Sequence, residues 1–99
     1  MLRSLVELIR ARSRKVDLLF RMGGEKFLLL LPDTRCDEAH VIAEHLRAAV
    51  AQAPLGDARP VTVSIGVSEL AAGDAMQDWI ARAGQALARA KDEGRNRVV

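Results

Sequence analysis

The sequence predicts an α+β domain in which helices pack on a mostly antiparallel sheet. Three observations predict it. Residues 16–31 form two apolar runs broken by Gly23-Gly24, the pattern of a tight hairpin. Stretches near 2–9, 39–50 and 79–90 carry apolar residues at helical spacing. Val61, Val63, Ile65 and Val67 alternate with Thr62, Ser64 and Gly66 at strand spacing.

Taken in order, Leu2, Leu5, Val6 and Ile9 make the apolar stripe of an opening helix. Arg10, Arg12, Arg14 and Lys15 gather at its end, where cations suit the helix dipole. The hairpin follows. Val16 to Phe20 is apolar apart from Asp17, and Phe27 to Leu31 is wholly apolar. An unbroken apolar run predicts a second arm buried on both faces, with Pro32 ending it. Thr34 and Asp37 have capping-box spacing, so a helix is expected over 35–52. Ala39, Ile42, Ala43, Leu46, Ala49 and Val50 supply its inner face. Pro54-Leu55-Gly56-Asp57 reads as a loop before the alternating strand. Asp74 is placed to cap a last helix to about Asp92, with Trp79, Ile80, Ala83, Leu87 and Ala90 inward. Gly94 suits the position after that helix, and Arg97-Val98-Val99 can add a short strand.

The chain of 99 residues is one domain's worth, with no repeat and no internal linker. No apolar stretch is long enough to span a membrane. The net charge of +2 is too small to imply nucleic acid. Phe20, Phe27 and Trp79 are the only aromatics, too few for a base-stacking platform. Cys36 is alone, which rules out an internal disulfide and fits a reducing cytoplasm. Cys36 reads as an incidental thiol in a first helical turn. His40 and His45, five apart, do not share a helix face and read as surface residues. The Arg10–Lys15 cluster reads as a solvated helix end.

Arg21-Met22-Gly23-Gly24-Glu25-Lys26-Phe27, followed by apolar residues and Leu31-Pro32, resembles the signature of GGDEF domains, the diguanylate cyclase family. Val63-Ser64-Ile65-Gly66-Val67 matches that family's late strand. Ala86-Leu87, Ala90-Lys91 and Gly94-Arg95-Asn96-Arg97-Val98 match its ending, and Arg14 and Asp17 have the spacing of its RxxD product-inhibition site. The resemblance implies an adenylyl-cyclase-like sandwich. It also implies a reaction joining two GTP molecules into cyclic di-GMP across a dimer, assisted by Mg²⁺ or Mn²⁺. It puts Glu25 at a metal-binding acid position and lets Gly23 and Gly24 bring backbone close to the nucleotide. Lys91 and Arg95 match a phosphate-contacting pair. Arg14 would meet the guanine edge or phosphate of cyclic di-GMP, with Asp17 accepting from guanine.

The departures shape the expectation. The fourth signature position, an acid in the family, is Lys26. Two unit charges about 5–6 Å apart at an effective dielectric of about 20 repel by roughly 3 kcal/mol, and a divalent ion suffers more. The family's first strand and helix precede the point matched by residue 1, and they carry its other metal aspartate and its guanine readers. The only acids upstream of the hairpin are Glu7 and Asp17. A further inhibitory-site arginine of the family falls near His45. The chain is therefore expected to be a truncated, degenerate domain over 1–99, inactive by itself. The resemblance implies that the family's missing strand is central, so a second copy of the chain is expected to cover the gap, with a rearranged opening helix or another partner as the alternative. GTP and cyclic di-GMP are the expected ligands, with no DNA or RNA.

Overall fold

A computed structural model describes residues 2–23, 26–53 and 61–99. The order is α1 (Leu2–Arg12), β1 (Leu18–Gly23), β2 (Lys26–Leu30), α2 (Cys36–Gln52) and α3 (Met76–Asp92). The expected α+β class holds: among the described residues three helices accompany a two-stranded antiparallel sheet.

α1 buries Ile9, as its apolar stripe requires. Ser13 ends it by donating its hydroxyl to the Ile9 carbonyl at 2.6 Å. In the hairpin, Leu18 pairs with Leu30 and Phe20 with Leu28 on one face, while Leu19 with Leu29 and Arg21 with Phe27 share the other. The second face turns to α1, where Val6, Arg10, Leu19, Arg21 and Phe27 line a crevice. The first face is open. Leu18 is 50% exposed, Phe20 46% and Met22 51%. The expectation that the second arm is buried on both faces is not met: residues 27–30 are only half-buried. Among the described residues β2 is hydrogen-bonded to β1 alone, so it is an edge strand.

α2 starts one residue later than its capping-box spacing predicts. Arg35 is the N-cap, and its N–H donates to Glu38 Oε1 at 3.4 Å. Thr34 is engaged elsewhere, donating to the Pro32 carbonyl at 2.9 Å and accepting from Arg14. Ala39, Ala43 and Val50 are buried along the inner stripe. The Pro54-Leu55-Gly56-Asp57 loop lies outside the described residues.

Residues 61–67 do not form the regular strand that their alternation predicts. Ile65 makes one parallel bridge, to Val98. Its N–H donates to the Arg97 carbonyl and its carbonyl accepts from the Val99 N–H, both at 2.9 Å. A strand needs a ladder as well as a pattern, and the terminal residues supply only this short one. Gly66 lies directly against the α3 backbone at Ala83 and Leu87. Trp79 clips the same corner: its indole N–H donates to the Ser68 carbonyl at 3.0 Å, and the Ser68 hydroxyl donates to the Trp79 carbonyl at 2.9 Å.

Asp74 does not cap α3. Ala75 does, and its N–H donates to Asp78 at 3.4 Å. The Asp74 carboxylate accepts from Arg82 at 2.6 Å and from the Ala71 N–H at 2.7 Å. Arg82, and then the Ala71 N–H, hold the Asp74 carboxyl below the ordinary carboxylate range. Such a group binds its proton less readily folded than unfolded. Its contribution is complete above its unfolded value and is lost as pH falls through the folded one. Thermal melts from about pH 6 down to about pH 3 should therefore fall more steeply for the natural chain than for Asp74→Asn. Parallel curves would show that the Arg82 pairing contributes nothing to folding.

Candidate functional site

The hairpin tip, the loop entering β1 and the end of α3 hold the residues singled out by the sequence. At the tip, Gly23 has φ +123, a conformation that side-chain-bearing residues avoid, and a Cβ there would meet no atom within 4 Å. Glycine is needed for its backbone angle, not for space. The register shifts between Arg21 and Gly23, and Gly23 pairs with Lys26 across the hairpin. Lys26 is exposed. Gly24 and Glu25 lie outside the described residues.

The Arg14–Asp17 pair is a closed clasp. Arg14 Nη2 and Nε donate to Asp17 Oδ1 at 2.8 and 3.0 Å. The Arg14 N–H donates to Asp17 Oδ2 at 2.8 Å. Nη2 also donates to the Pro32 carbonyl at 3.1 Å and to Thr34 Oγ1 at 2.8 Å. The Asp17 side chain is only 3% exposed, whereas that of Arg14 is 47% exposed. Asp17 thus aims Arg14 and is itself covered. Donating to the Asp17 carboxylate raises Arg14 above its ordinary value, so the guanidinium is a fixed cation. Thr34 and Pro32 were not legible as parts of this clasp, because their contacts span eighteen to twenty residues.

His45 does not reach the clasp. It lines a crevice of about 260 Å³ with Arg12, Ser13, Leu29, Ile42 and Leu46, between α1, β2 and α2. His40 is closer to chemistry than its spacing suggested: Nδ1 lies 3.0 Å from the Cys36 carbonyl and 3.6 Å from Cys36 Sγ. A carbonyl only accepts, so Nδ1 carries the proton. The Cys36 N–H is taken by Glu69 at 2.6 Å.

At the far end, α3 closes in a Schellman turn. The Arg95 N–H donates to the Ala90 carbonyl at 2.9 Å and the Gly94 N–H to Lys91 at 3.4 Å, with Gly94 at φ +124. Lys91 and Arg95 are both exposed on this turn. Arg95 and Asn96 also have positive φ, at 65 and 48. Among the described residues, no hydrogen bond or ion pair ties either cation to the hairpin.

The acid that the family resemblance assigns to a divalent ion, Glu25, is followed in sequence by Lys26, exposed at the start of β2. Among the described residues no three His, Cys, Asp or Glu side chains converge to hold a metal. One carboxylate beside a cation is a poor fit to Mg²⁺ or Mn²⁺.

Comparisons with known proteins bear on the family and the fold. Residues 1–97 match the family described as diguanylate cyclase, GGDEF domain. Diguanylate cyclase DgcM of Escherichia coli is 42% identical over 96 residues, covering 97% of this chain and 23% of that protein. The active GGEEF domain of a Vibrio cholerae diguanylate cyclase superposes with a TM-score of 0.91 at 33% identity, covering 98% of this chain and 64% of that one. The GGDEF domain of DgcB from Caulobacter crescentus, solved with cyclic di-GMP, gives 0.89 at 27% identity, over 99% of this chain and 61% of that one. The chain therefore spans about a quarter of the DgcM sequence and under two thirds of each solved domain.

Proposed function

This chain belongs to the GGDEF domain family of diguanylate cyclases, and from that membership we propose that it is a degenerate member, catalytically silent by itself. In this reading it is a cyclic di-GMP-binding, self-associating regulatory module of cyclic di-GMP signalling in the cytoplasm. The observation that carries the reading is Lys26, a cation at the first position of β2, where the family signature has an acid. A cation there opposes the divalent ions that the reaction needs.

The binding role falls to Arg14. Asp17, Thr34 and Pro32 fix one edge of its guanidinium, and the side chain is half exposed, ready for a guanine edge or a phosphate. Asp17 serves by holding Arg14 and meets guanine only on opening the clasp. Gly23, Gly24, Lys91 and Arg95 are the residues that would approach nucleotide phosphates, from GTP among others. The open apolar face of β1 favours a second copy of the chain as partner.

Titration calorimetry with cyclic di-GMP tests the reading. Micromolar binding is expected, weakened about tenfold or more in Arg14→Ala by loss of a charge-assisted contact. No heat at high micromolar ligand would remove the binding role. Steady turnover of GTP with Mg²⁺ or Mn²⁺ would remove the silent one. The alternative reading makes this chain part of an active cyclase whose remaining metal and guanine ligands lie outside it. It is favoured by the 64% coverage of the active Vibrio domain.

A further inference from the structure

We propose that Arg47, Asn96 and Ser64 form a clamp that positions Arg95, linking α2 to the cationic end of α3. The proposal rests on the reading of Lys91 and Arg95 as phosphate contacts. It begins with a backbone anomaly. The Schellman turn needs one left-handed residue, and Gly94 supplies it at no steric cost. The chain then stays left-handed for two residues that carry a Cβ, Arg95 at φ 65 and Asn96 at φ 48. Each such residue is sterically disfavoured, asparagine less than most. An exposed segment in this conformation would relax unless something held it.

Asn96 is where it is held. Its side-chain Oδ1 accepts from Arg47 Nη1 at 2.8 Å, and its N–H donates to Ser64 Oγ at 3.2 Å. Arg47 is anchored on α2 by Glu44, whose Oε1 accepts from Arg47 Nε at 2.8 Å, and its side chain is only 21% exposed. Immediately after Asn96, the Arg97 and Val99 bridge to Ile65 fixes the chain again. Arg95 therefore sits between two fixed points, the Ala90 carbonyl behind and Asn96 ahead. A guanidinium recognises phosphate through a planar fork, so its direction matters in a way that a lysine's does not. Arg47 touches no ligand in this scheme and acts through Asn96.

The test uses the whole chain with GTP as the probe, without metal, and reads affinity by calorimetry. Arg47→Ala and Asn96→Gly should each weaken GTP about fivefold, the equivalent of one hydrogen bond. Asn96→Gly keeps the left-handed freedom and removes only the clamp, so strain and clamp are separated. Asn96→Asp keeps the acceptor and should stay within about twofold of the natural chain. In an Arg95→Ala background, Arg47→Ala should cost nothing more. A second readout needs no nucleotide: trypsin cleavage after Arg95, followed by mass spectrometry, should accelerate in Arg47→Ala and Asn96→Gly and not in Asn96→Asp. If Arg95→Ala weakens GTP and the clamp variants do not, the clamp is overturned and the phosphate reading stands. If Arg47→Ala costs as much without Arg95 as with it, Arg47 is merely structural and the proposal fails. If the natural chain and Arg95→Ala take up GTP equally, or not at all, the phosphate reading falls and takes the positioning role with it, whatever trypsin shows.

Discussion

Gly66→Ala should strongly destabilise the native fold of this chain. A methyl group there would lie well inside contact distance of the Ala83 carbonyl oxygen and the Leu87 nitrogen, and 2.9 Å from the Ala86 carbonyl carbon. All three are backbone atoms of α3, which cannot swing aside as a side chain can. Relief requires pushing the helix off the 65–67 segment, at a cost of about 3 kcal/mol or more. Small domains hold only about 5–15 kcal/mol in total. Urea unfolding followed by circular dichroism measures it. Gly84→Ala is the matched control: it lies within α3, nothing stands within 4 Å of the added methyl, and helix propensity alone should make it neutral or stabilising. A Gly66→Ala chain that melts like the natural one would mean that 65–67 does not pack on α3 as described.

Lys26→Glu should raise divalent-metal affinity by up to about a hundredfold in the presence of GTP. Removing the ammonium and adding a carboxylate reverses a repulsion of roughly 3 kcal/mol per unit charge at about 5–6 Å. Because Lys26 is exposed, water screens part of that, and about tenfold is the lower expectation. Lys26→Gln removes the cation without supplying a ligand and should fall between the two. Mn²⁺ binding, followed by the loss of the free-ion electron paramagnetic signal, measures all three. If the glutamate variant binds Mn²⁺ no better than the natural chain, Lys26 is not what keeps the site from holding metal.

Much of the architecture was readable because it rests on short-range pattern. The three helices and the hairpin follow from apolar spacing and from a glycine that must take positive φ at 23. The Gly94 turn was readable for the same reason. What the sequence misplaced depends on partners far along the chain. Thr34 has the spacing of a cap and instead spends its hydroxyl on Pro32 and Arg14. Asp74 has the position of a cap and instead pairs with Arg82, a turn and more into α3. Residues 61–67 alternate like a strand, yet a ladder requires neighbours that no local pattern can specify. The run of leucines in β2 signalled burial on two faces, yet residues 27–30 are only half-buried. At the site, the RxxD spacing picked out Arg14 and Asp17, which do meet. The tie from Arg47 to Asn96 spans 49 residues and left no trace that one chain could show, beyond the Glu44–Arg47 spacing on α2.

Trp79 gives the molecule one optical window. No tyrosine accompanies it, so near-ultraviolet emission comes from a single indole, fastened to Ser68. Emission therefore watches the junction of α3 with the 65–68 segment and is blind to α1, the hairpin and most of α2. Far-ultraviolet ellipticity averages over α1, α2 and α3 instead. Any gap between the two signals on heating would date the loosening of that corner relative to the remainder of the chain.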